Sequence, residues 1–165
     1  MVGGDNMSDF CDFEKYIFDM NDSNWRKSKH AFFKFDLSKL ISAEKALGIE
    51  FPTELVAFYK ALGYGFVCNN SSLMNSRIMD PKSISDFIQG LGVFKMFPDR
   101  ERFMGKCMFP FFEVSEVSML MLDTSSNKLK GENPVYYYGK LIATSLQEFL
   151  QKMDTETDYY LNVDK

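Results

Sequence analysis

Apolar residues return at helical spacing in several stretches of this chain, and short apolar or aromatic segments bounded by turn residues lie between them. The first helical stretch runs from Asp9 to Met20, with Phe10, Phe13, Ile17 and Met20 on one side and Ser8 placed to cap it. Asn21, Asp22, Ser23 and Asn24 break that pattern, and the residues from Trp25 to Asp36 fit no single template. Ser38 then opens a helix carrying Leu40, Ile41, Glu44 and Leu47, which Gly48 ends as a residue free to take positive φ. Pro52 stands where a second helix begins, and Leu55, Phe58, Tyr59 and Leu62 form its apolar stripe up to Gly63. The link between these two helices is short, so they are expected to fold back on each other.

After Gly65 the periodicity changes. Phe66 to Cys68 and Leu73 to Met79 read as strands around a polar turn, and Asp80 and Pro81 open a helix through about Leu91, with Ile84, Phe87 and Ile88 inward. The segment from Gly92 to Gly105 holds Pro98 and the charged group from Asp99 to Arg102, and reads as an irregular, exposed connection. Met108 to Phe112, Val117 to Leu122 and Val135 to Tyr138 read as strands, with a Ser-, Asn- and Lys-rich turn from Thr124 to Asn133 between the last two. Gly139 and Lys140 end the last strand, and Ser145 starts a closing helix bearing Leu146, Phe149, Leu150 and Met153. Helices, a mainly antiparallel run of strands with one inserted helix, and a closing helix make an α+β fold. Residues 1–36 form a lead segment of the same domain, residues 37–153 its main body, and residues 154–165 an acidic tail.

The 165 residues suit one domain, and 45% apolar content is enough for a core. Most of the 17 Phe belong inside it. No stretch is long and apolar enough to span a membrane, and the N-terminus lacks the pattern of a signal peptide, so a cytoplasmic location is expected. Cys11, Cys68 and Cys107 form neither a disulfide framework nor a metal-ligand pair. A net charge of −4 argues against a nucleic-acid partner bound through phosphate neutralisation. Acids crowd the region from Asp5 to Asp22, bases the region from Arg26 to Lys45; acidic faces of this kind would steer a basic partner.

Candidate chemistry is sparse. His30 is the single histidine and lies among Lys27, Lys29 and Lys34, where a surface position is expected. Gly63 and Gly65 follow a helix and lack the third glycine of a dinucleotide loop. Glu113, Glu116 and Asp123 lie in or beside strands, where solvent-facing acids are the simplest account. No catalytic constellation, metal or cofactor site is expected.

The segment from Ile41 to Gly65, with Glu44, Leu47, Gly48, Pro52, Gly63 and Gly65 at its fixed points, strongly resembles the signature of the SUKH superfamily. Arg77, Asp80 and Pro81 with Ile84 and Phe87 resemble its strand-to-helix passage, Phe111 to Asp123 its central hairpin, and Val135 with Ile142 to Leu150 its last strand and closing helix. The resemblance covers residues 37–153; the lead segment and the stretch from Gly92 to Cys107 match no motif of the family. It implies a non-catalytic α+β domain built to bind proteins, either an immunity protein that neutralises a cognate toxin encoded nearby, such as a nuclease, or a regulatory scaffold for endogenous proteins. Glu44, Gly48, Pro52, Gly63, Gly65 and Asp123 are then expected to serve the fold, and Asp99, Glu101, Glu113 and Glu116 to face the partner. A monomer or weak homodimer is expected.

Overall fold

Seven strands pair antiparallel in the order in which the chain delivers them, each beside its predecessor. They are β1 (Ala31–Phe33), β2 (Tyr64–Phe66), β3 (Arg77–Ile78), β4 (Met108–Ser115), β5 (Ser118–Asp123), β6 (Val135–Tyr137) and β7 (Lys140–Ala143). Helices α1 (Ser38–Leu47) and α2 (Thr53–Ala61) lie between β1 and β2, α3 (Pro81–Gln89) between β3 and β4, and α4 (Leu146–Thr155) after β7. The arrangement is that of an α+β protein, in a computed structural model that describes residues 10–71, 75–125 and 131–162. β5 is buried from Ser118 to Leu122, so the central hairpin is covered on both faces. A register shift between Pro110 and Phe112 lets the rings of both Phe111 and Phe112 meet Phe149 of α4.

Several elements differ from the periodicity reading. The stretch expected as a helix from Asp9 to Met20 is a 3-10 helix over Cys11–Tyr16, and Ile17 then bridges to Phe32. Phe10, Phe13 and Tyr16 recur every third residue, the 3-10 period, and Phe10 and Phe13 enter the core while Met20 stays exposed. Ser8 and Asp9 lie outside the described residues, as do positions 72–74 of the strand expected from Leu73 and positions 126–130 of the polar turn. The stretch left open after Trp25 contains β1. Ser38 is the first helical residue and not the cap: the Asp36 carboxylate accepts from its N–H. Pro52 stands one place before the first helical residue of α2. The strand expected at Phe66 to Cys68 ends at Phe66, because Cys68 takes φ 62°. Gly139 and Lys140 do not end the last strand. Tyr138 and Gly139, at φ 46° and 80°, form a tight hairpin turn into β7.

The two adjacent helices do not fold back on each other; α1 packs chiefly on α3. The carboxylate of Glu44 accepts from Phe51 N–H at 3.0 Å, and Pro52 is extended at ψ 139°, so the chain leaves α1 at an angle. α2 then sends Phe58 onto Phe10 and Phe32, both edge-on. Gly48 closes α1 at φ 67°. Gly63 and Gly65 are needed because β1 passes so close: a Cβ at Gly63 would lie 1.9 Å from the Phe33 carbonyl oxygen, and one at Gly65 2.1 Å from that of Ala31. Asp123 holds the start of the following turn by accepting from Ser125 N–H at 2.7 Å.

The start of α4 depends on a buried carboxylate in α2. Glu54 Oε1 accepts from Leu146 N–H at 2.6 Å and from Asn133 N–H at 3.0 Å, and Oε2 accepts from Gln147 N–H at 3.2 Å. Ser145 Oγ takes the third free donor, Glu148 N–H. The first turn of α4, whose N–H groups have no partner within the helix, is thus satisfied from outside it. Burial pushes the Glu54 carboxyl above its ordinary value, and the three backbone N–H donors pull it back. At the two edges of the sheet, Tyr159 Oη and Lys152 Nζ both donate to Ile142 O in β7, and Phe18 N–H donates to Phe32 O of β1.

Glu54→Ala removes both acceptor oxygens and leaves three backbone donors without them, so it is expected to cost about 3 kcal/mol of stability. Urea unfolding would show this as a lower midpoint at unchanged slope. A loss as small as that of the exposed Glu50→Ala would mean that Glu54 does not hold α4.

Candidate protein-binding site

The segment after α3 is neither irregular nor wholly exposed, as its charged and proline-containing sequence had implied. It forms two 3-10 helices, Gly92–Met96 and Arg100–Phe103, and buries Phe94 and Phe103. Phe94 and Phe97 both meet Phe87 of α3 edge-on, at 5.5 and 5.0 Å between ring centres, and Phe97 meets Phe103 at 5.8 Å. Arg100 locks the segment down by donating from Nη1 to the carbonyls of Phe87 and Ile88 at the end of α3.

In a 3-10 helix, residues i and i+3 eclipse. Phe94 and Phe97 therefore share the inward edge, and Val93 and Met96 stack on an outward one, 88% and 85% exposed. Facing them across a groove of about 480 Å³ is the turn between β4 and β5, which presents Val117 and Glu116. Glu113 lines the same groove from β4 but is already engaged: Arg77 Nε donates to Oε2 at 2.8 Å and Asn75 Nδ2 to Oε1 at 3.0 Å. Glu116 is exposed and forms no ion pair among the described residues.

Of the four acids expected to face a partner, the fold brings Glu113 and Glu116 together and leaves Asp99 and Glu101 outside the groove. Both of those sit at the following 3-10 turn, and Asp99 makes only a long, exposed pair with Arg102 at 3.7 Å. The apolar half of the groove was missed. Its signal is the spacing of three between Phe94 and Phe97, which fixes the outward direction of Val93 and Met96.

His30 is not at the surface. It is fully buried, packed on Tyr16 at 4.8 Å, with Nδ1 accepting from Cys68 N–H at 3.0 Å and Nε2 donating to Asp154 Oδ1 at 2.8 Å. A Cys, a His and an Asp together resemble a nucleophile with its base, but the bonds run otherwise. The Cys68 thiol donates to Met153 O, and burial raises its pKa. The one free lone pair on the imidazole already holds a backbone N–H. The three residues tie the start of β1 and the turn after β2 to the end of α4, and Lys29 adds a bond from Nζ to Asp154 Oδ1 at 2.9 Å. Among the described residues no group of three or more His, Cys, Asp or Glu could hold a metal, and no helix is long and apolar enough to cross a membrane.

Burial lowers the pKa of His30 below 6.5, its ordinary value, against the opposing pull of Asp154. The unfolded chain then binds a proton that the folded chain refuses, so stability falls as pH drops below about 6.5. His30→Gln is expected to lower stability at neutral pH and to flatten this part of the curve, measured by urea unfolding across the range. An unchanged slope would exclude His30 as its source.

The SUKH_6 family, described as SMI1-KNR4 cell-wall, matches residues 37–150. A curated protein of Bacillus subtilis (strain 168), "Immunity protein YxxD", is 37% identical over 134 residues, which is 80% of this chain and 88% of that protein. No solved structure matches significantly. With the family pattern spread over the helical pair, the central hairpin and the closing helix, the chain belongs to the SUKH superfamily.

Proposed function

We propose that this chain is an immunity protein, which binds a toxic partner protein and neutralises it without catalysing a reaction. The observation that carries the reading is the likeness to the Bacillus subtilis immunity protein, which covers 80% of this chain and 88% of that protein. The groove of exposed apolar side chains beside a free carboxylate supports a binding role, because a monomeric protein gains nothing from leaving such a patch in water. In this reading the toxin is encoded nearby, and the pair forms in the cytoplasm. A net charge of −4 supports a basic partner, of which a nuclease is one kind. The bonds to Ile142 O in β7 and to Phe32 O in β1 blunt both sheet edges and support a monomer. Asp99 and Glu101, at the neighbouring turn, belong to the outer rim of the contact.

A second reading, a regulatory scaffold for the cell's own proteins, draws on the cell-wall description of the matching family. Co-expression separates the two. Toxin domains from neighbouring genes should arrest growth of a host when expressed alone, and this chain should restore growth and copurify with one of them. Rescue by none of them, together with capture of an endogenous protein by the purified chain, would replace the immunity reading with the scaffold one.

A further inference from the structure

The groove between the Gly92–Met96 segment and the β4–β5 turn has a chemistry narrower than general stickiness. Its walls are mostly apolar: Val93, Phe94, Met96, Phe97 and Pro98 on one side and Val117, 54% exposed, on the other. Among the described residues, the only charged side chains lining it are the carboxylates Glu113 and Glu116. Arg77 neutralises the first and leaves the second free. Lys95, the nearest cation in sequence, lies on a different edge of the same 3-10 turn and does not line the groove. The groove between α1 and α3 differs in this respect, since Lys39 and Lys82 stand beside Asp80 and Asp86, and Lys82 already pairs with Asp86 at 2.6 Å.

We propose that this groove takes a lysine or arginine side chain of the partner protein, with its methylene stem along Val93, Met96 and Val117 and its charged head on Glu116. A long cationic side chain is the one natural group that is apolar along its length and positive at its end. Met96, unbranched and freely rotating, adjusts to the stem. The rigid backing is supplied by Phe94 and Phe97, so the walls of the groove are in place before the partner arrives. Steering comes from Glu116 and weakens with salt.

The identity of the partner as a toxin rests on the immunity reading, but the chemistry of the groove does not, and two arms keep them apart. In the first, the full-length isotopically labelled chain is titrated with n-butylguanidinium and followed by amide resonances. Shifts at Val93, Met96 and Val117, lost in Glu116→Gln and not reproduced by n-butanol, are expected; absence of these shifts, or their persistence in Glu116→Gln, overturns the proposal. In the second, Glu116→Lys and the double variant Val93→Glu with Met96→Glu are tested against the captured toxin. Each should weaken binding about 100-fold, and Ile41→Glu on the exposed side of α1 should leave it unchanged. Thermal melts check that the variants fold. Equal binding by wild type and groove variants sinks this proposal and spares the immunity reading. Failure to capture any toxin sinks that reading, and the titration still decides the groove.

Discussion

The carboxylate of Glu54 sets the terms for the rest of the molecule. It stands on one helix and accepts the backbone donors of another that arrives late in the chain, together with the Asn133 amide just before β6. The side chain of Asn133 completes the exchange by accepting from Glu54 N–H and donating to Asp123 O. A buried acid is costly unless its oxygens are filled, and here they are filled by groups that would themselves be stranded without it. Because α4 is fixed at its start, Phe149 reaches Phe111 and Phe112, and the central hairpin acquires its cover.

The other end of α4 is fixed by a different device, the chain of bonds from Cys68 through His30 to Asp154. It joins the lead segment to the closing helix, since Phe13 and Tyr16 pack on the His30 ring. Uncharged imidazole suits this role, as it can accept at one nitrogen and donate at the other. Between the two fastenings, Leu146, Phe149, Leu150 and Met153 face the core. The proposed binding groove lies away from both, on a segment that aromatic packing and the bonds from Arg100 to the end of α3 make firm.

Legibility in the sequence followed how local the cause was. The start of α3 could be read to the residue, because Asp80 caps it and Pro81 starts it, while its end was read as about Leu91 and Gly90 closes it at φ 67°. The fixed points from Glu44 to Gly65 and the helical pair were visible for the same reason. What escaped depends on contacts far apart in sequence. Nothing near Glu54 announces that its partners are residues 133, 146 and 147, and nothing near His30 announces Asp154. A lone histidine among lysines reads as surface until a distant carboxylate is known to wait beneath it. The 3-10 segments were missed for a local reason, that a spacing of three is also half of a helical pattern. β7 was missed because Tyr138, a residue that seldom adopts positive φ, makes the turn where glycine alone was credited with ending a strand.

The placement of both fastenings on α4 has a consequence for how the protein is made. Every strand leaves the ribosome before that helix does, so the sheet must wait beside an acid and an imidazole that are each only partly satisfied. Until α4 arrives, the nascent chain holds an unfinished core and a carboxylate with the Asn133 N–H but not the two donors of α4, the kind of open state that quality-control proteases recognise. Synthesis interrupted before α4 therefore leaves a chain that lacks both fastenings at once.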